Sequence, residues 1–134
     1  MFRQLIAGAL LATAIGAAAW GADRPEGDWV TQSGNFQVRI APCGAALCGA
    51  VVRVMANNSM STAGPSTAAP ARVGLRLMSD FTPSGDGQWT GKIFNREDGR
   101  TYDCVITPTR RTMTVRPYIL LPLFGRPQTW TRAG

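Results

Sequence analysis

Apolar and polar residues alternate along most of the chain, which is the pattern of β-strands that bury one face. The segments between these runs are short and rich in Gly, Asp, Asn and Ser, as in the turns of antiparallel hairpins. The pattern therefore predicts an all-β domain of about eight antiparallel strands. The predicted strands are residues 27–31, 36–41, 50–55, 73–78, 89–94, 102–107, 112–116 and 128–132.

The second and third of these strands form a predicted hairpin. Phe36, Val38 and Ile40 alternate with polar or small residues, and on the far side Ala50, Val52 and Val54 are expected on the apolar face, with the arginines opposite. Cys43 and Cys48 flank the turn and can come within bridging distance. The alternative is that both thiols are small core residues. We favour the disulfide because the N-terminal segment predicts export.

Two segments break the alternation. Residues 56–72 are rich in Ala, Ser, Thr, Asn and Pro and have no period, so we predict a flexible loop, either a mobile lid or plain disorder. Residues 118–124 are apolar, but Pro117 precedes them and Pro122 interrupts them, which favours a packed loop at the rim of the sheet.

The first 19 residues have the layout of a secretory signal peptide, with Arg3 followed by an uncharged Ala-rich run. Cleavage is expected after Ala19, or alternatively after Gly21. A retained membrane anchor is disfavoured because a spanning helix needs about 20 predominantly apolar residues. Residues 20–134 then form one domain with no transmembrane segment. The preference for Arg over Lys suggests a GC-rich bacterial genome, so we expect a periplasmic or secreted protein.

The chain is basic, with a net charge of +6 that falls to +5 when Arg3 leaves with the leader. The arginines are spread along the predicted strands, with no run longer than Arg110-Arg111 and no recognition motif, so nucleic-acid binding is not predicted. We interpret the arginines as a solvated face of the sheet, and the alternative is that they give a weak attraction to anionic lipid or another anionic envelope surface.

The chain contains no histidine, which excludes a His-dependent catalytic triad and a His zinc site. No metal, cofactor or catalytic residue is predicted. Cys104 shares a strand face with Tyr102 and Ile106 and is expected to be a buried, inert thiol. The alternative is a nucleophilic cysteine, which would need a lowered thiol pKa.

Four motifs carry a resemblance to a known family. The most specific is the Cys-Gly-x-x-Leu-Cys-Gly block, and together the motifs extend over nearly all of the chain that follows the leader. They are Gly27-x-Trp29, Val38-x-Ile40-x-x-Cys43-Gly44-x-x-Leu47-Cys48-Gly49, Asp98-Gly99-Arg100-Thr101-Tyr102, and Phe124-Gly125-Arg126-Pro127-Gln128-Thr129-Trp130-Thr131-Arg132. With them the chain resembles the exported bacterial family called domain of unknown function 2147.

This resemblance implies a small, lipocalin-like, up-and-down antiparallel barrel in the cell envelope, and it implies no particular activity. Gly27-x-Trp29 is also similar to the Gly-x-Trp of lipocalins, in which an Arg that ends the last strand covers the indole. We therefore expect Gly27, Trp29 and Arg132 to close the barrel. The chain departs from the family in the segment after the third strand, where only Asn57, Asn58 and Arg72 match.

Three functions are compatible with these observations. The first is a module that binds a hydrophobic small molecule inside the barrel, with Trp89, Tyr102 and Ile106 as candidate ligand contacts. A barrel filled by its own side chains is the alternative. The second is a structural or stress-related envelope protein that acts through its basic surface and binds no ligand. The third is an enzyme that uses Cys104, although no enzymatic activity is predicted.

Overall fold

The computed structural model describes residues 23–120 and 125–134, and within them every regular element is a β-strand. The predicted signal peptide lies outside the described residues. Eight antiparallel strands follow one another around a closed barrel. They are β1 (Gly27–Val30), β2 (Phe36–Cys43), β3 (Ala46–Val54), β4 (Arg76–Gly85), β5 (Gln88–Asn95), β6 (Arg100–Pro108), β7 (Thr112–Tyr118) and β8 (Gln128–Arg132). The all-β class and the barrel architecture are thus confirmed.

The barrel closes where the last strand pairs with the first. Trp29 lies opposite Arg132 and Val30 opposite Thr131 in this antiparallel pair. Each of the other strands pairs with its neighbours in the sequence, so the topology is up-and-down. Each of the eight described strands therefore pairs on both sides, which limits the usual route to edge-to-edge aggregation.

Up-and-down topology places alternate connections at opposite ends of the barrel. We call the end with the connections β2–β3, β4–β5 and β6–β7 the Trp29 end, because the start of β1 and the end of β8 also lie there. The other end carries the connections β1–β2, β3–β4, β5–β6 and β7–β8, and we call it the cavity end. The β3–β4 and β7–β8 connections lie on opposite sides of the barrel.

The core follows from the inward face of each strand. Phe36, Val38 and Ile40 of β2 are buried as the alternation predicts. Removing their apolar surface from water stabilises the fold at about 25 cal/mol per Å². The remaining strands add the following fully buried side chains: Trp29, Val51, Met78, Phe81, Cys104, Ile106, Met113 and Val115.

The predicted apolar face of β3 is wrong. Leu47, Gly49 and Val51 point inward in place of Ala50 and Val52, while Val54 pairs with the buried Phe36 near the end of the strand and is 37% exposed. The reason is an irregularity opposite Gln37 and Val38, where the pairing passes from Val51 to Arg53 and leaves Val52 without a partner. One extra residue in a strand reverses the faces on either side of it, and period two alone does not locate such a bulge.

Several strand boundaries also differ from those predicted, most clearly in β4 and β7. Strand β4 begins at Arg76, so Val73 lies outside it with 67% of its surface exposed. Its far end passes through Pro83 to Gly85, which the turn-like composition had assigned to a connection. Strand β7 continues through Pro117 to Tyr118. Both prolines are tolerated because the pairing is irregular near Pro83 and Pro117 is close to the end of its strand.

Candidate functional site

A cavity of about 430 Å³ opens at the cavity end of the barrel. Its apolar wall is built from inward-facing residues near the strand ends at the cavity end: Phe36, Leu77, Ile93, Pro117 and Trp130. Nearer the Trp29 end the barrel is filled by side chains, because Val38, Ile106 and Met113 are buried in the core. The cavity is therefore a cup at one end and not a channel.

Polar groups surround the mouth of this cup. The β5–β6 connection supplies Arg96 and Glu97, and the β7–β8 side supplies Tyr118, Arg126 and Gln128. The Arg96 guanidinium carbon lies 5.7 Å from the centroid of the Phe36 ring, so the cation covers part of the apolar wall. An apolar wall with a few polar groups at the mouth is typical of sites for small amphipathic molecules.

The β3–β4 connection packs against this mouth through Asn35. The Asn35 side chain accepts a hydrogen bond from Asn58 N at 2.7 Å and donates one to Asn58 O at 3.0 Å. The Asn58 side chain in turn donates to Ser33 O at 2.9 Å. Asn35 is almost completely buried, so an unpaired amide at this position would be costly.

A second contact joins the same connection to the β5–β6 turn. The Glu97 carboxylate accepts hydrogen bonds from Ser59 Oγ at 3.2 Å and from Met60 N. Arg96 donates to Ala69 O at 2.9 Å. Met60 consequently reaches the cavity wall. The flexibility predicted for residues 56–72 stays a prediction, and these hydrogen bonds are the contacts that any opening of the segment must break.

The family comparison identifies the chain. The family model described as "Uncharacterized protein conserved in bacteria (DUF2147)" matches residues 27–132. The chain belongs to this family. The matched span runs from the first residue of β1 to the last residue of β8, which is the whole barrel. No curated protein and no solved structure matches the chain.

In this DUF2147 barrel the three predicted ligand contacts lie at different depths. Tyr102 lines the cavity. Ile106 is completely buried in the core below it, and Trp89 is half-buried towards the Trp29 end, with the Arg24 guanidinium 5.4 Å from its ring centroid. Of the three, Tyr102 is therefore the residue that the fold places at the cavity.

The Tyr102 hydroxyl is held by a neighbouring carboxylate. It donates a hydrogen bond to Asp98 Oδ2 across the β5–β6 turn. This hydrogen bond raises the pKa of Tyr102 and lowers the pKa of Asp98, because it favours the protonated phenol and the ionised carboxylate. The ring is thus fixed at the mouth of the cavity in its neutral form at neutral pH.

The predicted closure residues Gly27, Trp29 and Arg132 lie together at the Trp29 end. The Arg132 guanidinium carbon is 4.2 Å from the Trp29 ring centroid. Its nitrogen atoms donate to Arg110 O at 2.7 Å, Glu26 O at 3.0 Å and Arg24 O at 3.1 Å. The energetic contribution of this arrangement to closure stays a prediction.

The cysteines also occupy distinct places. Cys43 and Cys48 face each other across the β2–β3 turn at disulfide-bonding distance, with their Cα atoms 5.8 Å apart. Cys104 is completely buried, and loss of hydration raises the pKa of its thiol to about 12. A protonated thiol without access to solvent does not favour nucleophilic chemistry.

Two further observations concern metals and membranes. Within residues 23–120 and 125–134, no three His, Cys, Asp or Glu side chains come together as a metal site would require. In that same part of the chain no helix has the length and apolar character needed to cross a bilayer.

Sequence reasoning missed most of the residues that form the cavity. Asn35 and Glu97 fall between the predicted strands, and Trp130 occurs in the last of the family motifs. Inward position was predictable for Trp130, which alternates with Thr129 and Thr131 in β8. The partner of Asn35 was not, because Asn58 is 23 residues away in a segment without a period.

Proposed function

We propose that this DUF2147 protein is an exported module that binds a small apolar or lipid-like molecule in the cup at the cavity end. The observation that carries the proposal is the cavity of about 430 Å³ with an apolar wall and a polar mouth. Pockets for small ligands have volumes of about 300–1,000 Å³ and the same division of surface chemistry.

The residues suggest how such a ligand is oriented. Its apolar part would contact Phe36, Leu77, Ile93 and Trp130, where burial replaces water with side-chain contacts. Its polar end would lie near Arg96 and Arg126, which carry the positive charges at the mouth. The ligand that fits best is therefore an amphipathic molecule whose polar group is neutral or anionic.

The predicted export of the protein also supports the proposal. The N-terminal sequence has the layout of a signal peptide, and the Cys43–Cys48 pair suits an oxidising compartment. In the periplasm or outside the cell, apolar molecules need a carrier because water solvates them poorly. A small barrel with one cup is suited to that task.

Binding of the neutral fluorophore N-phenyl-1-naphthylamine tests the proposal. We expect its fluorescence to rise on binding and to fall when a long-chain fatty acid displaces it. Native mass spectrometry of protein purified from its own host should also detect a co-purified small molecule. Absence of both signals would favour a structural envelope protein that acts without a ligand.

Substitutions locate the binding site. Ile93→Trp places a larger side chain in the cavity and should weaken fluorophore binding at least tenfold. Thr114→Trp is the matched control, because Thr114 is exposed on the outer face of β7. Leu77→Phe is a smaller change that should weaken fluorophore binding partially. It replaces Ile93→Trp in the test if that variant does not fold. Equal affinities of all these variants would place the fluorophore outside the cup.

A further inference from the structure

The large apolar side chains that are exposed in the described part of the chain all belong to the cavity end. Two of these side chains lie at or just after the end of strand β3, two lie further along the β3–β4 connection, and two come directly after strand β7. They are Val54, Met55, Met60, Val73, Ile119 and Leu120, with Leu120 84% and Val73 67% exposed. Because the β3–β4 and β7–β8 connections are on opposite sides of the barrel, these side chains flank the mouth of the cup from two sides.

Arginines accompany these apolar groups. Arg53 and Arg100 lie close to strand ends at the cavity end, and Arg72, Arg96 and Arg126 lie in its connections. None of the five forms an ion pair within the described residues. The ion pairs of the described chain lie elsewhere, between Arg24 and Glu26, Arg39 and Asp28, and Lys92 and Asp103.

The two carboxylates of this end are already engaged. Glu97 accepts hydrogen bonds from the β3–β4 connection, and Asp98 accepts them from Arg100 N and the Tyr102 hydroxyl. The arginines at the cavity end therefore outnumber the carboxylates, and although Arg96 also donates to Ala69 O, none of the five charges is neutralised by an ion pair within the described residues. Exposed apolar side chains combined with such cations are the features of a surface that adsorbs to anionic bilayers.

We propose that the cavity end docks on the surface of an anionic lipid bilayer, with Leu120, Ile119 and Val73 entering the headgroup region and the arginines contacting lipid phosphates. Docking in this orientation would turn the mouth of the cup towards the bilayer. The proposal concerns the outer surface of this end and does not require the cup to hold a ligand.

A bilayer fits this surface better than a second copy of the chain. If two copies joined through their cavity ends, the arginines of each would face those of the other, and like charges repel. The apolar side chains also sit on separate connections around the mouth, with polar residues between them. A fluid layer of lipids adapts to this distribution, whereas a protein interface needs close complementary packing.

Vesicle binding of the purified protein, in the form recovered from its host, tests the proposal. The probes are vesicles of phosphatidylglycerol and vesicles of phosphatidylcholine, compared by co-sedimentation. We expect binding to phosphatidylglycerol that weakens as salt rises, and at least tenfold weaker binding to phosphatidylcholine. Equal binding to both lipids, or to neither, would overturn the proposal.

Two pairs of charge variants locate the surface. Arg53→Gln with Arg72→Gln removes two charges from the cavity end, and Arg110→Gln with Arg111→Gln removes two from the Trp29 end. Neither pair lines the cup. Each arginine near an anionic surface changes affinity about fivefold, so the first pair should weaken vesicle binding more than tenfold and the second by less than threefold. Equal losses would show attraction by net charge alone and overturn the proposed orientation.

An apolar variant completes the test. Leu120→Asn with Val73→Ser removes the two most exposed apolar side chains, and neither residue lines the cup. Asn is chosen because Leu120 has a φ of 73°, a conformation that Asn tolerates. We expect at least fivefold weaker vesicle binding. Unchanged vesicle binding, or concentration-dependent self-association that this variant abolishes, would contradict bilayer docking.

The result is separable from the proposed ligand binding. Fluorophore binding is measured without vesicles and depends on the interior of the cup, whereas these variants change only outer residues. A protein that binds fluorophore but not vesicles would refute docking alone. A protein that binds vesicles but not fluorophore would refute ligand binding alone.

Discussion

The guanidinium of Arg132 lies over the indole of Trp29, with 4.2 Å between the Arg132 Cζ atom and the ring centroid. The two residues are also direct partners in the pairing of β8 with β1, which closes the barrel. Trp29 donates from its indole nitrogen to Pro25 O at 2.8 Å, so the ring is fixed on its polar edge as well as on its face. Both ends of the domain are therefore joined at one side-chain contact.

The first prediction concerns Arg132. Arg132→Ala should lower the free energy of unfolding by about 2 kcal/mol, because it removes the cation above Trp29 and hydrogen bonds to backbone carbonyls. Arg132→Lys should recover less than half of that loss, since Lys keeps the charge but lacks the planar guanidinium. Denaturant unfolding measures both, with Arg111→Ala as an exposed control expected to change stability by less than about 0.5 kcal/mol. Equal stability of wild type, Ala and Lys proteins would contradict the clamp.

The second prediction concerns Gly27. Its φ is +126°, and a Cβ atom there would lie 2.8 Å from an Arg132 guanidinium nitrogen. Gly27→Ala should therefore destabilise the barrel by about 2 kcal/mol or more through backbone strain and displacement of Arg132. Gly87→Ala is the control, because Gly87 also has a positive φ but no atom within 4 Å of the added Cβ. A smaller cost at Gly27 than at Gly87 would show that the close approach to Arg132 is unimportant.

The third prediction concerns Cys43 and Cys48. Thiol titration of the denatured, unreduced protein should find one free thiol among the three cysteines. The bridge closes a short loop, so reduction should cost only about 1–3 kcal/mol and leave the protein folded. The double variant Cys43→Ser with Cys48→Ser should have the same free energy of unfolding as the chemically reduced wild-type protein. Three titratable thiols would rule the bridge out.

The fourth prediction concerns Cys104. Because burial raises the pKa of its thiol to about 12, iodoacetamide at pH 7.5 should not modify the native protein at this residue. The same reagent should modify Cys104 quickly in denaturant. Rapid alkylation of the native protein would revive the hypothesis of a nucleophilic cysteine.

The fifth prediction concerns residues 56–72. A protease of broad specificity should cut the native protein first in this segment. Asn35→Ala removes both side-chain hydrogen bonds to Asn58 and should accelerate that cleavage several-fold. Gln88→Ala, at the Trp29 end, should leave the rate unchanged. First cleavage elsewhere in the barrel would show that the segment is a docked lid and not a flexible loop.

Most of the barrel was predictable from the sequence because each strand buries one face, and period two records which residues share it. Phe36, Val38 and Ile40 illustrate this, since all three are buried as predicted. Motifs such as Cys-Gly-x-x-Leu-Cys-Gly placed the chain in its family. Local turn chemistry likewise placed Cys43 and Cys48 on either side of one hairpin.

The cavity was decided by tertiary structure alone. Tyr102 and Ile106 share one face of β6, yet Tyr102 pairs with Ile93 beside the cavity, whereas Ile106 pairs with Trp89 nearer the Trp29 end. Alternation specifies the face of a strand but not the depth at which the barrel stops being filled. That depth depends on side chains from distant strands, such as Trp130, and on contacts such as Asn35 with Asn58, because only folding brings these residues together.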